Sequence, residues 1–101
     1  MRFLLVYDIT SDRLRTEVAE ICKDFGLRRV QYSCFAGDLN ANRTDMLKLE
    51  LRGVFRRRND VVCDTDSILI VPTCETCAGQ RWTLGPDKHF PDRRRQHYEV
   101  L

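Results

Sequence analysis

No apolar run in this 101-residue chain approaches the roughly 20 residues of a membrane-spanning helix, so a helical membrane protein is not expected. Met1 leads straight into a strand-like run, with Arg2 as its only basic flank and no small-residue cleavage site. That is not the pattern of a secretory leader. Charge of one sign is also lacking: 17 Lys plus Arg stand against 15 Asp plus Glu, a net charge of +2. So even a balance, with 43% hydrophobic residues, excludes wholesale disorder, which combines few apolar residues with a large net charge. Internal repeats and low-complexity tracts are absent. The five cysteines cannot all pair within one chain. Without secretion they read as buried or free thiols of a reducing cytosol.

The length is that of one domain. A core this small buries a modest share of its surface, so a partner subunit would help it. The basic residues are unevenly spread. Residues 1–39 hold six basic and six acidic side chains, residues 40–60 six and three, and residues 61–101 five and six. Arg56-Arg57-Arg58 and Arg93-Arg94-Arg95 form two triplets. Such clusters attract phosphate backbones, but they are equally the solvated end of a helix and a solvated tail.

Hydrophobic spacing orders the elements. Phe3-Leu4-Leu5-Val6-Tyr7-Asp8-Ile9 reads as a buried strand interrupted only by Asp8. Leu14, Val18, Ile21, Cys22 and Phe25 recur at spacings of three and four, which predicts a helix capped by Thr10 or Ser11 and ended by Gly26. Leu27–Leu39 is strand-like but long, so a bulge or bend near Gln31–Ser33 is expected to divide it. Leu47, Leu51, Val54 and Phe55 mark a second helix, capped by Asn40 or Asn42 and weakened near its end by Gly53. A polar connection over 60–66 precedes the buried strand Ser67–Pro72, and a short strand is expected at Arg81–Leu84. This order predicts an α+β, ferredoxin-like βαββαβ sandwich with an extra C-terminal strand.

Both helices of such a fold cover one face of the sheet, and an exposed opposite face calls for polar alternation. Here Phe3, Leu5 and Tyr7 point one way while Leu4 and Val6 point the other, and Leu69 and Val71 back Ile68 and Ile70. Both faces ask for burial, so we expect a homodimer packed through the sheet faces about a two-fold axis. Asp8 shares the parity of Leu4 and Val6. Two such carboxylates brought together would repel, and a hard cation such as Mg²⁺, which takes one or two protein carboxylates and completes its shell with water and phosphate, would relieve that. The alternative is a strand-end Asp that hydrogen-bonds the following turn. Cys74-x-x-Cys77 supplies only two of the four ligands of a closed zinc site, and Cys63, His89 and His97 complete it at no diagnostic spacing. Loop packing is the simpler role for that pair. Cys22 and Cys34 sit among apolar positions and are expected in the core, and His89 and His97 need no role.

Val6-Tyr7-Asp8-Ile9, then Asp12-Arg-Leu-Arg15, the run Gly26-Leu-Arg-Arg29-Val-Gln31-Tyr-Ser33-Cys-Phe35-Ala-Gly37-Asp-Leu39, and Asp66-Ser67-Ile-Leu-Ile-Val-Pro72 resemble the small CRISPR-associated Cas-two family, in order from residue 1 to about 77. The resemblance implies a prokaryotic cytoplasmic protein of antiviral defence. It would be a homodimer with a metal-dependent endonuclease site, cutting single-stranded RNA, double-stranded DNA or both, with Mg²⁺ or another divalent cation such as Mn²⁺. It also implies spacer acquisition, with the dimer joining two dimers of the Cas-one integrase and binding the incoming duplex. A non-catalytic adaptor in that same complex is the alternative.

On this resemblance Asp8 is the metal ligand and catalytic carboxylate, and Arg15 and Arg29 bind phosphates. Tyr7, Ser33 and Phe35 support the site, Phe35 more simply by core packing than by touching nucleic acid or the interface. Glu17 stands where some members carry a basic residue, which interrupts a basic groove along the first helix. The chain divides into a nuclease domain at 1–80 and a C-terminal strand and tail at 81–101, expected to dock on the partner subunit. A third class, a metal- or ligand-sensing module built on Cys74 and Cys77, would reveal itself by stoichiometric zinc.

Overall fold

In the computed structural model, residues 1–73 and 82–86 are described in full and residues 97–99 by their backbone. Cys74, Cys77, Arg81, His89, Pro91, the second arginine triplet, the side chain of His97 and the Val100-Leu101 end lie outside those residues. The chain runs β1 (Arg2–Asp8), α1 (Asp12–Asp24), β2 (Arg28–Gln31), β3 (Cys34–Asp38), α2 (Ala41–Arg57), β4 (Ser67–Pro72), β5 (Trp82–Leu84) and β6 (His97–Glu99). The strands form one sheet in the order β2-β3-β1-β4-β5-β6. Its first four members are antiparallel throughout and give the ferredoxin-like α+β arrangement.

Two strands extend that arrangement beyond β4. β5 pairs antiparallel with β4 of its own chain, and β6 pairs parallel with β5. One extra strand was expected from the Arg81–Leu84 pattern. The second, three residues long, carries no alternation long enough to announce it.

Each boundary has a local cause. The Ser11 hydroxyl caps α1 by accepting the Leu14 amide at 3.2 Å. The helix ends at Phe25, and Gly26 follows with φ +82°. The Gly26 amide donates to the Lys23 carbonyl and the Leu27 amide to that of Cys22, the bond pair of a Schellman motif, which requires a left-handed residue at Gly26. Asn40 caps α2 through a 2.8 Å bond from the Arg43 amide. Gly53 does not interrupt this helix, which continues to Arg57. The long strand pattern is divided where expected: Tyr32 and Ser33 form the turn between β2 and β3, and Ser33 itself is left-handed at φ +67°.

The core lies between the sheet and the two helices. Phe3, Leu5, Tyr7, Phe35, Ile68, Ile70, Trp82 and Leu84 enter it from the strands. Leu14, Val18, Cys22, Leu47, Leu51, Val54 and Phe55 enter it from the helices. The Lys48 ammonium sits 5.6 Å over the Trp82 ring, which ties α2 to β5. On the other face Leu4, Val6, Ala36 and Val71 are half-buried. Cys34 belongs to this face, half-buried, and not to the core; Cys22 is fully buried, and burial pushes its thiol up to about 12. Neither is a reactive thiolate at neutral pH.

Between the helices, Arg58 grips Glu17. Its Nε donates to both carboxylate oxygens at 3.0 and 2.9 Å, and Nη2 donates to Oε2 at 2.6 Å. This hydrogen-bonded guanidinium holds the Glu17 carboxyl below its ordinary value of 4.5. A depressed carboxylate contributes stability above the unfolded-state pKa and loses it as pH falls through the folded one. The expected result is a melting temperature for Glu17→Gln below that of the wild type at pH 7, the gap closing as the medium is acidified below the carboxylate range. Thermal denaturation of both proteins across pH checks it, and a pH-independent gap would refute the ion pair as its cause.

Gly85 has φ +88°, and an added Cβ would lie 2.3 Å from the Asp66 carbonyl oxygen. Gly85→Ala is therefore expected to destabilise the fold by about 1–3 kcal/mol, read as a lower denaturation midpoint.

Candidate functional site

β1 lies between β3 and β4 and so carries a ladder on both edges. Its registers Val6↔Leu69, Tyr7↔Ile68 and Asp8↔Ser67 run to its last residue. Alternation then sends consecutive residues to opposite faces. Tyr7 is buried beneath the helices, while Asp8 is exposed on the far face, in line with Val6 and Leu4. The Tyr7 amide donates to the Ser33 carbonyl at 3.0 Å, so the β2–β3 turn is pinned to β1 immediately before Asp8. That is the contribution of Ser33: backbone geometry and an acceptor.

Beneath the turn, the Tyr7 and Phe35 rings stack with centroids 6.3 Å apart. Phe35 is fully buried, in the packing role that its apolar surroundings favoured. The Arg29 guanidinium lies 4.7 Å above the Phe35 ring, held by cation–π attraction while its side chain remains exposed. Arg15 is engaged within its own turn. It donates to the Ile9 carbonyl at 2.9 Å and the Thr10 carbonyl at 3.4 Å, and pairs with Asp12. Both terminal nitrogens of its guanidinium thus brace the β1–α1 turn.

Tyr7, Arg15 and Arg29 nonetheless border one feature. An open notch of about 230 Å³ lies between α1 and the β2–β3 turn, and Thr16, Glu20, Lys23 and Tyr32 also line it. Asp8 is not among its lining residues, since its side chain projects from the other face of the sheet. The residues named from the sequence therefore fall into two groups joined by one peptide bond: Asp8 on the outer face, and Tyr7, Phe35, Arg29 and Arg15 on the helix side.

A residue whose role the sequence reading missed sets the position of Asp8. Asp66 is 2% exposed; its Oδ1 accepts the Thr10 amide at 3.0 Å and its Oδ2 the Cys63 amide at 2.9 Å. One carboxylate thus joins the turn after Asp8 to the loop that feeds β4. Its signal was an Asp directly before an apolar strand, a residue type that commonly bonds nearby backbone amides.

The donor set at Asp8 fits a hard cation incompletely in one chain. Among the described residues no group of three or more His, Cys, Asp or Glu side chains comes together. One exposed carboxylate meets the lower limit for Mg²⁺, and a second copy's Asp8 would meet the usual two.

These observations define a class: a ferredoxin-like α+β protein with a carboxylate exposed at the end of its first, central strand and a basic, aromatic notch beside it. The sequence profile of the family described as CRISPR associated protein Cas2 matches residues 1–81, and the chain belongs to that family. It is 42% identical over 78 residues to "CRISPR-associated endoribonuclease Cas2 1" of Archaeoglobus fulgidus, covering 77% of each chain. It is 41% identical over 75 residues to "CRISPR-associated endoribonuclease Cas2" of Desulforudis audaxviator, covering 74% of this chain and 65% of the relative. The protein of that same name from Korarchaeum cryptofilum is 39% identical over 75 residues, 74% of each chain. No helix among the described residues is long and apolar enough to cross a membrane.

Asp66→Ala should strip both amides of their acceptor, at about 1–3 kcal/mol for each buried donor left without one. Hydrogen exchange at the Thr10 and Cys63 amides provides the local readout. Both should lose protection together, and protection retained at either would remove Asp66 as the link.

Proposed function

We propose that the chain is a metal-dependent endonuclease of CRISPR spacer acquisition. It acts as a homodimer whose two Asp8 carboxylates meet across the two-fold axis and hold Mg²⁺ or Mn²⁺. The observation that carries this reading is Asp8 itself, a charged side chain exposed at the end of an otherwise apolar strand, in register with Ser67. The substrates proposed are single-stranded RNA and double-stranded DNA, and the names of the relatives, endoribonucleases all, favour RNA. Support for the dimer comes from the face that bears Asp8, where Leu4, Val6, Ala36 and Val71 are only half-buried by their own chain. The dimer works in the prokaryotic cytoplasm, between two dimers of the Cas-one integrase.

When bound, the cation supplies polarisation of the phosphodiester and a water of lowered pKa. The chain's own residues do the rest. Asp8 provides a carboxylate oxygen at a point that the β1–β4 ladder and the Asp66 bridge keep from shifting. Arg29, exposed and steadied on the Phe35 ring, takes a phosphate, for which its planar guanidinium suits bidentate contact. Arg15 keeps the β1–α1 turn closed and turns its remaining donors to the same strand.

A second reading, a non-catalytic adaptor that binds nucleic acid in the same complex, is favoured by one observation. The notch that Arg29 borders is not lined by Asp8, so phosphate contacts there do not need that carboxylate.

Asp8→Asn separates the two. The expected result is a fall of about two orders of magnitude or more in metal-dependent RNA cleavage by the purified protein, with the fold retained by circular dichroism. Cleavage that persists in the variant, or that survives a chelator in the wild type, would dismiss Asp8 as the catalytic ligand. Spacer acquisition retained by a cleavage-dead variant would favour the adaptor.

A further inference from the structure

The notch beside the β2–β3 turn holds chemistry that phosphate binding does not require. Thr16, Glu20 and Lys23 stand about one turn apart along α1 and face Arg29 and Tyr32 across it. A groove built only for phosphates would be uniformly basic, yet Glu20 places a carboxylate among Arg15, Lys23 and Arg29. Tyr32 is equally out of place for a packing residue. Its side chain is 76% exposed, far more than Val30, Met46 or Leu49. The left-handed Ser33 beside it, with its carbonyl pinned to the Tyr7 amide, keeps the turn that bears it from collapsing onto the core. At about 230 Å³ the notch is smaller than the roughly 300–1,000 Å³ of a site that encloses a whole small molecule. It is sized for one part of a longer ligand.

We infer that this notch holds a single unpaired base of an RNA strand, stacked on Tyr32, with Glu20 accepting an N–H from its Watson–Crick edge and Lys23 and Arg29 on the flanking phosphates. This inference rests on the reading of the chain as a nucleic-acid-binding protein and adds strand selectivity to it. Every base offers a ring face for stacking on an aromatic side chain, which makes the contact tolerant of sequence. Every base also carries an N–H on its pairing edge, and in a duplex that donor is already committed to the complementary strand. Glu20 therefore rewards an unpaired base and repels the backbone of a paired one, so the notch selects single strands without a code. Tyr32 and Glu20 act in binding and are not catalytic residues.

Fluorescence anisotropy with a short labelled RNA and its blunt duplex tests this on the full-length protein. A chelator is present, so that no cleavage intervenes. The wild type is expected to prefer the single strand. Tyr32→Ala should weaken single-strand binding by about 5- to 150-fold and leave duplex binding unchanged, whereas Tyr32→Phe, which keeps the ring, should bind like the wild type. Glu20→Ala gives a test of sign. Removal of a negative charge should strengthen binding of both RNAs if Glu20 is merely solvated, but weaken single-strand binding if it accepts from a base. Equal losses for both RNAs in Tyr32→Ala, or a gain for the single strand in Glu20→Ala, would overturn the inference and leave the nuclease proposal standing. A wild type that binds neither RNA would overturn both.

Discussion

The Asp66 carboxylate holds two backbone amides that belong to different loops, and much of the geometry around Asp8 depends on that pair of bonds. It adds to the β1–β4 ladder a direct link between the turn after β1 and the loop before β4. With it, a buried charge is satisfied entirely by main-chain donors, an arrangement in which a carboxylate can sit inside a protein at tolerable cost. Gly85 reinforces the same point from β5, because its missing side chain lets the chain pass against the Asp66 carbonyl. Three segments distant in sequence thus converge on a single residue, which fixes the turn that follows Asp8.

The sheet divides its labour by face. On one side, aromatic and aliphatic residues from four strands meet two helices and form the core. On the other lie Asp8 and the half-buried aliphatics, a surface too apolar to be ordinary solvent boundary. The helix-side notch and the outer-face carboxylate are separated by the thickness of one strand, so a nucleic acid that used both would have to turn around the end of β1. Charge is distributed with similar economy. Arg58, one member of the basic triplet, is spent on Glu17, and Arg15 is largely spent on carbonyls, so the cations that remain for a ligand are fewer than the composition implies.

Much of this was legible in advance, for physical reasons. The apolar runs Phe3–Tyr7 and Ile68–Val71 announce two core strands, and β1 and β4 do pair side by side within the sheet. The helices announced themselves through three-and-four spacing, and Gly26 through the positive φ that a Schellman ending needs. The site was less legible. Asp8 stands out as the one charge in an apolar run, whereas Asp66 looks like any loop aspartate until its two amides are found. Arg15 and Arg29 look alike in the sequence, and only the structure separates the arginine that braces a turn from the one that rests on a ring. Tyr32 could not be told from a strand residue, since its exposure depends on the conformation of Ser33.

The strand register has a further consequence for how the molecule is made. β1 is synthesised first, and its partner β3 follows within a few dozen residues, but Phe3 pairs with Pro72 at the far end of β4. On a ribosome, one edge of this central strand waits unpaired until the chain has been made as far as Pro72, and long-range pairing of that kind is slow and prone to association. The half-formed sheet exposes the same apolar face that the proposed dimer would cover. A nascent chain and a finished subunit therefore compete for one surface, and local abundance during translation would decide which of them reaches it first.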